Sequence, residues 1–503
     1  MHPSRMIRAG LLAGLALVVC ACGTTIEAAD GTPIGSIAAP GQVAGGGTVL
    51  PDGTVLPEGA TIGADGEIIL GDGGTTTTTG GGSVPGTGTS SAPGATGTTG
   101  PVSPGAKGTG PIKVGFLTTS VSQAAQFGVS AGNTLSGEDI IKALAAGMNA
   151  EGGLSGRKIE PIIASTDTGS SSWEADFQAA CSKFTEDNKV ESVVGYDFVY
   201  LDSFETCLTK AGISHLTTGY DPGDSTGFQQ YPYISSIYPT FDEKWRILIR
   251  APYEDGTLTK ESKIGLVVDE CPAHVRAQQR ELYPFIKEKD LTVAATMSVA
   301  CPRGSGATAS GVSAVSNAVL SFRSRGVDQV ILDGVTLYFF AQTAESQGYR
   351  PGYITNGGAG LLDNNPLPEE QMKNIRSYGL DPSRDVSIKK QPPRTPIQER
   401  CIALVKKGGA TLSAAADFAG AYSTCDGLFM LEAAMKRTNG TTDAAAITAA
   451  IQQLGTSFKS TEMIGSQTSF SSGDRSGATL FNVATYDTAC KCFSYPGPAK
   501  RIP

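Results

Sequence analysis

The sequence has few histidines, fewer basic than acidic residues, and no long apolar run after residue 22. Three His occur among 503 residues, and 39 Lys and Arg compare with 48 Asp and Glu, so the formal net charge is −9. This balance excludes a basic nucleic-acid-binding surface, and three histidines exclude a cluster of several His ligands around a metal. No later run approaches the roughly 20 apolar residues that span a bilayer. We therefore expect neither a nucleic-acid partner nor a metal or other cofactor.

Aromatic residues are missing from one long stretch near the start of the chain. No Phe, Trp or Tyr occurs between Gly23 and Gly110, and residues 71–110 contain 14 Gly. Such a stretch cannot bury enough apolar surface to offset the entropy lost on ordering. Its Gly/Thr/Ser/Pro composition is typical of linkers, and a flexible coil of this length reaches roughly 50 Å. We expect residues 22–110 to form a disordered tether.

The first residues are typical of an export signal. Arg5 and Arg8 precede an apolar run over residues 9–19, which is too short for a stable membrane span. The following Val19-Cys20-Ala21-Cys22-Gly23 resembles a bacterial lipobox in which Cys22 is lipidated after removal of residues 1–21. The alternative is ordinary secretory cleavage beside two incidental cysteines. We expect a lipid-anchored protein on the extracytoplasmic face of the membrane.

From residue 111 onward, short apolar runs alternate with stretches of helical periodicity. Predicted helices include 137–149, 174–184, 203–210 and 277–289, and the predicted strands are 112–118, 158–165, 191–195, 212–217, 263–268, 291–299, 329–332 and 353–355. This alternation predicts an α/β fold with mostly parallel sheets covered on both faces by helices. A region of this length exceeds the usual size of one domain, so we expect two lobes. Ligands of such sheets bind beyond the carboxyl ends of the strands.

Three segments carry a resemblance to a known family. Residues 112–118, residues 122–128 and the sequence MNAEGGLSGRKI at residues 148–159 resemble the opening of leucine/isoleucine/valine-binding proteins. These are type I periplasmic binding proteins of ABC importers. The element N-A-x-G-G-x-x-G-[RK] follows the first long helix, and its glycines suit a helix end and a chain reversal.

The resemblance covers residues 112–496 and implies a domain layout. Lobe 1 is expected from residues 111–237 and 377–461, and lobe 2 from residues 238–376 and 462–503. The return to lobe 2 is expected through a late hairpin whose turn is Gly473–Gly477.

The resemblance also implies a ligand site between the lobes, built from loops at strand ends. Backbone N–H groups and hydroxyls in such loops suit a carboxylate or another polar acceptor. In lobe 1 the implied contacts are Thr118, Ser122, Phe127, Tyr196, Asp197, Thr217, Thr218, Gly219 and Tyr220. In lobe 2 they are Asp269, His274, Tyr338 and Asn356, with Tyr338 equally consistent with a place in the core.

Lobe 2 departs from the pattern of an amino-acid binder. The family's acidic residue for the ligand's α-ammonium is expected near Asn356, and Gly357 there carries no charge. An ammonium without a carboxylate in a closed cleft is costly. We therefore expect an amide, a carboxylate or an aromatic acid rather than leucine, isoleucine or valine. Asp197, Asp269 or Glu270 are the alternative partners for an ammonium.

The expected function is binding rather than catalysis. No GxSxG, HExxH, GxxxxGK[ST] or CxxC motif stands in its required context, and His274 beside Asp269 lacks a nucleophile. The resemblance implies a monomeric receptor that closes around a small polar or amphipathic solute and presents it to an ABC permease in the membrane. The solute class is amino-acid-like, an amide, a carboxylate or an aromatic acid. A sensor of the same fold without a transport role is the alternative hypothesis, and an extracellular hydrolase is a third.

Eight cysteines remain after Cys20 and Cys22, an even number in an exported chain. Because export leads to an oxidising compartment, we expect four disulfides. The order of the predicted elements favours the pairs Cys181–Cys207, Cys271–Cys301, Cys401–Cys425 and Cys490–Cys492. Metal ligation is the alternative, although the spacings do not cluster.

Overall fold

A computed structural model describes residues 110–120, 132–167, 170, 172–195, 199–301, 305–332 and 334–503, together with four short strands between residues 48 and 70. The chain divides into two compact units, residues 1–97 and 98–503. In the first unit, β1 (Thr48–Val49) pairs antiparallel with β2 (Val55–Leu56), and β3 (Ala60–Ile62) pairs antiparallel with β4 (Ile68–Leu70). The segment expected to be a disordered tether thus contains two short strand pairs. The predicted signal peptide and Cys22 lie outside the described residues.

Lobe 1 is built on a five-stranded parallel sheet in the order β6-β5-β7-β8-β9. Every residue of its two central four-residue strands is buried, as expected for a sheet with helices on both faces. The strands are β5 (Ile112–Ser120), β6 (Ile159–Asp167), β7 (Ser192–Gly195), β8 (Ser214–Thr217) and β9 (Ile234–Ser236). The helices between them are α1 (Gly137–Ala150), α2 (Trp173–Ser182), α3 (Asp202–Lys210) and α4 (Ser225–Gln230), and a π-helical turn, Lys183–Asp187, extends α2.

Lobe 2 contains a second sheet, in the order β11-β10-β12-β13-β14-β15-β16, whose first five strands are parallel. Its parallel strands are β10 (Lys263–Asp269), β11 (Thr292–Val299), β12 (Gln329–Ile331), β13 (Gly352–Thr355) and β14 (Ile375–Gly379). Its helices are α5 (Phe241–Glu254), α6 (Pro272–Ala277), α7 (Tyr283–Glu288), α8 (Ser305–Ser324), α9 (Gly334–Ser346), α10 (Glu369–Met372) and α11 (Pro382–Asp385). The helix predicted over 277–289 is interrupted by a π-helical turn, Gln278–Leu282, between α6 and α7.

The chain then returns to lobe 1 before it completes lobe 2. The helices α13 (Ala415–Arg437) and α14 (Ala444–Gln452) pack on the first sheet, and α12 (Pro396–Lys407) packs on α1 and α13. The strands β15 (Leu480–Asp487), β16 (Cys492–Ser494) and β17 (Lys500–Arg501) add an antiparallel edge to the second sheet. The lobe boundary expected after residue 376 falls inside β14, because that strand pairs through Gly379 with β15. A late turn is present before β15, but the bridge between Ser471 and Asp474 places it at residues 471–474, two residues before the predicted turn Gly473–Gly477 begins.

The glycine-rich element after α1 has a structural role in the lobe 1 core. Gly152 and Gly153 adopt φ values of 107° and 74°, which favour glycine, and a Cβ on Gly153 would collide with the carbonyl of Arg157. Arg157 is buried, and its guanidinium donates to both carboxylate oxygens of Glu191 and to the carbonyl of Pro111. The element therefore ends α1 and fixes the start of β5.

Four disulfides are present, with the predicted pairings. The Cα atoms are 6.3 Å apart in Cys181–Cys207, 4.7 Å in Cys271–Cys301, 5.9 Å in Cys401–Cys425 and 5.2 Å in Cys490–Cys492. Each of the first three joins neighbouring elements within one lobe, so the disulfides brace the lobes separately. None of these four links one lobe to the other.

Close backbone contact between α1 and α12 gives a stability prediction. A Cβ on Gly147 would collide with the carbonyl oxygen of Leu404. Alanine in a helix interior is normally favoured over glycine by about 1 kcal/mol, but forced overpacking costs about 1–3 kcal/mol. We expect Gly147→Ala to lower the free energy of unfolding by about 1–2 kcal/mol, measured by denaturant titration.

The matched control is Gly473→Ala, since no atom lies within 4 Å of a Cβ built there. This variant should remain within about 0.5 kcal/mol of wild type. A Gly147→Ala protein as stable as the wild type, or more stable, would show that the two helices separate easily.

Candidate functional site

Three chain segments connect the lobes and are bonded to one another. They are residues 237–240 after β9, residues 380–395 after β14 and residues 453–479 before β15. The amide of Ile464 donates to the carbonyl of Leu380 at 3.1 Å, and the amide of Gly477 donates to the carbonyl of Ser236 at 2.8 Å. The three crossings therefore form one hinge region at the base of the space between the lobes.

A buried polar cluster joins these crossings through side chains. We call Tyr238, Asp381, Arg384 and Glu462 the crossing cluster. The Tyr238 hydroxyl lies 3.3 Å from Asp381 Oδ2 and 3.3 Å from Glu462 Oε1. Arg384 lies with Nε 3.2 Å from Asp381 Oδ2 and a terminal nitrogen 3.6 Å from Glu462 Oε1. Each crossing contributes at least one member, so a relative rotation of the lobes must strain these contacts.

Two further buried carboxyl groups extend the cluster into both lobes. Asp426, on α13, accepts from the amides of Thr461 at 2.6 Å and Glu462 at 3.2 Å. Asp385 accepts from the amides of Gly358 and Asp381 and from the Tyr495 hydroxyl, each at 2.9 Å. Asp385 therefore ties the loop after β13 to the second crossing.

Burial dominates the electrostatics of this region. It raises the pKa of Asp381, and burial together with the Asp381 carboxyl raises the pKa of Glu462 well above its ordinary value. Burial and the charge of Asp381 raise the pKa of Asp385 to about 7, and burial raises the pKa of Asp426 to about 7. The hydrogen bonds to these groups oppose the shift without cancelling it.

Tyr220, in the loop after β8, has two cationic side chains near its ring. Lys244 Nζ is 5.9 Å from the centre of its ring and the Arg384 guanidinium carbon is 5.5 Å from it. The ring also packs on Tyr238, with centroids 5.0 Å apart. Lys244 is buried and pairs with Asp221 at 3.3 Å. The sequence-predicted Tyr220 thus forms an aromatic wall with positive charge on it.

Beside this wall, the loop after β8 contacts the helix after β10. Asp224 is fully buried and accepts from Arg276 at 2.8 Å and from Arg280 at 2.6 Å. Burial alone would raise the pKa of Asp224, but these hydrogen bonds hold it at about 2. Because Asp224 follows a strand of lobe 1 and both arginines follow a strand of lobe 2, the carboxyl ends of the two sheets face each other across a cleft.

His274 lies at the same lobe contact. Its ring stacks on Phe241 with centroids 3.8 Å apart, and its nitrogens are 3.9 Å from Asp221 Oδ2 and 3.8 Å from Asp269 Oδ2. Burial lowers the pKa of His274 to about 4, although Asp221 favours the protonated form. The imidazole is therefore neutral at neutral pH and lies near one carboxyl group of each lobe, beyond hydrogen-bonding distance.

The hydroxyls expected to hold the ligand are used within lobe 1. Thr218 donates to the carbonyl of Gly195 at 3.0 Å and receives a hydrogen bond from Ser423 at 3.0 Å. The amide of Gly219 donates to Thr217 Oγ1 at 3.4 Å. Thr217, Thr218 and Gly219 are all buried. They shape the end of β8 in this state, and the cleft wall itself begins at Tyr220.

The remaining predicted residues are distributed along the two sheet edges. Thr118 is half-buried at the end of β5, and Asn356 is half-buried directly after β13. Tyr338, near the start of α9, packs partly on the lobe 2 core, and Gln342 donates to its hydroxyl at 2.7 Å. Ser122, Phe127, Tyr196 and Asp197 lie outside the described residues.

Sequence reasoning missed the residues on the cleft floor. Lys244, Asp381, Arg384, Asp385 and Glu462 lie in or beside the crossings and were not expected to meet. The short sequence Asp381-Pro382-Ser383-Arg384-Asp385 directly after a strand is a signal that was available, because polar residues at that end of a strand often serve a site. Its burial and its partners depend on contacts distant in sequence.

The structure also contains a surface groove away from the cleft, and this groove does not change the placement of the candidate site between the lobes. It has a volume of about 840 Å³ and lies between α4, α14 and the turn at residues 472–476. Arg475 on its wall donates to the backbone carbonyls of Tyr231 and Ile234. The groove lies beside β9 rather than at the carboxyl ends of the strands. In the part of the chain that the structure describes, no group of three or more His, Cys, Asp or Glu is placed to hold a metal, and no helix is suited to cross a membrane.

Comparison with solved structures identifies similar folds. A solute-binding protein of an ABC transporter from Rhodopseudomonas palustris, in complex with 4-hydroxybenzoate, has 15% identity and a TM-score of 0.56, covering 78% of this chain and 98% of its own. The branched-chain amino acid transporter substrate-binding protein of Streptococcus pneumoniae, in complex with isoleucine, has 14% identity and a TM-score of 0.53, covering 78% and 99%.

A possible leucine/isoleucine/valine-binding protein from Rhodopirellula baltica has 13% identity and a TM-score of 0.53, covering 80% of this chain and 98% of its own. At these identities the likeness establishes the two-lobed fold alone. A search of curated proteins found no match. Residues 111–491 match the family described as periplasmic binding protein, which includes nearly all of the two lobes. The chain belongs to the periplasmic binding protein family.

Proposed function

We propose that this protein is a lipid-anchored, extracytoplasmic solute receptor of an ABC importer, and that it acts as a monomer without catalysis. Its solute is a small carboxylate, amide or aromatic acid without a free α-ammonium. The solute binds between the lobes and contacts both, which favours the closed arrangement. The closed receptor then delivers it to a permease in the membrane.

The arrangement around Gly357 and Gly358 carries the proposal about the solute. Asp385 Oδ1 would lie 2.7 Å from a Cβ on Gly357, so a carboxyl group does reach this edge of lobe 2. Its oxygens are occupied by two amides and the Tyr495 hydroxyl. Because its pKa is raised to about 7, it is a weak partner for an ammonium.

The Tyr220 wall supports an acidic, preferably aromatic, solute. A flat ring can stack on Tyr220, and the Lys244 and Arg384 cations favour an anionic group beside it. The R. palustris relative in complex with 4-hydroxybenzoate shows that this fold accommodates an aromatic acid. The S. pneumoniae relative in complex with isoleucine has nearly the same TM-score, so fold similarity does not select the solute.

Calorimetry on the purified protein tests the solute class. We expect 4-hydroxybenzoate or benzoate to bind more tightly than leucine, isoleucine or valine. Replacing Tyr220 by Ala should weaken binding of the aromatic acid about fivefold or more, because stacking on this half-buried ring contributes about 1 kcal/mol or more. Tyr220→Phe should retain most of the affinity.

Tyr283→Ala is the matched control, because Tyr283 is exposed on α7. It should leave the affinity unchanged. Micromolar or tighter binding of leucine would refute the proposed solute class and would point to Asp269 or Asp197 as the ammonium partner. Equal loss of affinity in the Tyr220→Ala and Tyr283→Ala proteins would show that Tyr220 does not contact the solute.

The membrane anchor is tested by fractionation of cells. If Cys22 is lipidated, Cys22→Ser should move the protein from the membrane to the soluble fraction, since stable attachment requires acyl chains. Cys20→Ser is the matched control and should stay with the membrane. Persistent membrane association of the Cys22→Ser protein would show that the anchor lies elsewhere.

A further inference from the structure

The crossing cluster and its two neighbours contain an excess of acidic groups. Asp381, Asp385, Asp426 and Glu462 are each at most 1% exposed. Arg384 is the cation that lies against this group, through Asp381 and Glu462. Four ionised carboxylates beside one guanidinium in a buried site would repel each other at high energetic cost. At least one of these groups must therefore carry a proton in the observed arrangement.

The hydrogen-bond geometry leads to the same conclusion independently. The Tyr238 hydroxyl has one proton, yet it lies 3.3 Å from both Asp381 Oδ2 and Glu462 Oε1. Glu462 Oε2 is buried and has no hydrogen-bond partner among the described residues. An ionised carboxylate oxygen that is buried without a donor is more costly than the neutral carbonyl oxygen of a protonated carboxyl group. A proton on Glu462 Oε1 can be donated to the Tyr238 hydroxyl while that hydroxyl donates to Asp381 Oδ2, so a proton on Glu462 accounts for both observations.

We propose that the crossing cluster is a proton-controlled latch for the hinge, in which protonated Glu462 holds the lobes together and loss of its proton releases them. The latch includes one or more residues from each crossing, so it acts on the relative position of the lobes. It does not depend on which solute the cleft binds.

The titratable groups that surround the latch are identified by the structure. Glu462 faces Asp381, Arg384, Asp426 and Tyr238, which come from the other two crossings and from α13. Asp385 faces Asp381 and Tyr495. Two further tyrosines are near, with Tyr220 against Tyr238 and Tyr422 near Asp381. Among these groups only Arg384 is a cation. Ionisation of one carboxyl group therefore makes ionisation of the remaining carboxyl groups less favourable.

The direction of the pH effect follows from the raised pKa values. A carboxyl group whose pKa is higher in the latched than in the hydrated state binds its proton more tightly when latched. The latch is therefore fully formed below the ordinary carboxyl pKa near 4.5 and is lost as the pH rises through the raised pKa of Glu462. Alkaline conditions should open the hinge, and acidic conditions should keep it closed.

Interlobe distance measured by double electron–electron resonance tests the proposal without a solute. Spin labels are attached to Lys406→Cys on α12 and Lys287→Cys on α7, which are exposed positions in different lobes. Cys20 and Cys22 are replaced by Ser in the full-length chain. Between about pH 5.5 and about pH 8.5 we expect the distance distribution to lengthen and broaden. With Glu462→Gln, which cannot ionise, most of this pH-dependent change should disappear.

Asp381→Asn serves as a second variant if Glu462→Gln does not fold. It removes the neighbouring charge that opposes ionisation of Glu462, so it should also reduce the change. Glu261→Gln is the control, because Glu261 is exposed and distant in sequence from the crossings. It should respond to pH as the wild type does. A wild-type distance that does not change with pH would overturn the proposal, and so would an unchanged pH response in both cluster variants. These outcomes do not bear on the proposed solute class, because the measurement is made without a solute.

Discussion

The arrangement of the two lobes depends on carboxyl groups that are buried where the chain crosses between them. Tyr238, Asp381, Arg384 and Glu462 come from three separate crossings and are connected within hydrogen-bonding or ion-pair distance. Removing such groups from water is unfavourable, so they are stable only while their partners stay in place. This requirement makes the hinge a specific structure rather than a loose connection, and it gives the hinge a dependence on protonation.

The functional surface is built outward from this constraint. Arg384 also lies over the Tyr220 ring, and Asp385 holds the Gly358 amide, so one crossing positions both an aromatic wall of lobe 1 and the strand-end loop of lobe 2. At the neighbouring contact, Asp224 of lobe 1 pairs with Arg276 and Arg280 of lobe 2. The lobes therefore meet through the ion pairs of Asp224 beside the cleft and through the crossing cluster beneath it.

Local sequence signals were sufficient for much of the fold. Apolar runs between turn residues predicted strands such as β5 and β10 within a few residues, and element order placed Cys271 beside Cys301. The site was less predictable because its contacts are distant in sequence: Asp385 meets Gly358, and Glu462 meets Tyr238. Thr218 illustrates a second reason, since its hydroxyl type suggested a ligand donor but its bonds are made to Gly195 and Ser423.

A double-mutant cycle in the free energy of unfolding tests the central role of the cluster most directly. Tyr238→Phe and Glu462→Gln are measured singly and together, with Tyr349→Phe and Glu462→Gln as a control cycle, because Tyr349 bonds within lobe 2 to the carbonyl of Val327. The account predicts a coupling of about 0.5–3 kcal/mol between Tyr238 and Glu462 and additivity in the control. Additivity of Tyr238→Phe and Glu462→Gln to within about 0.3 kcal/mol would contradict it.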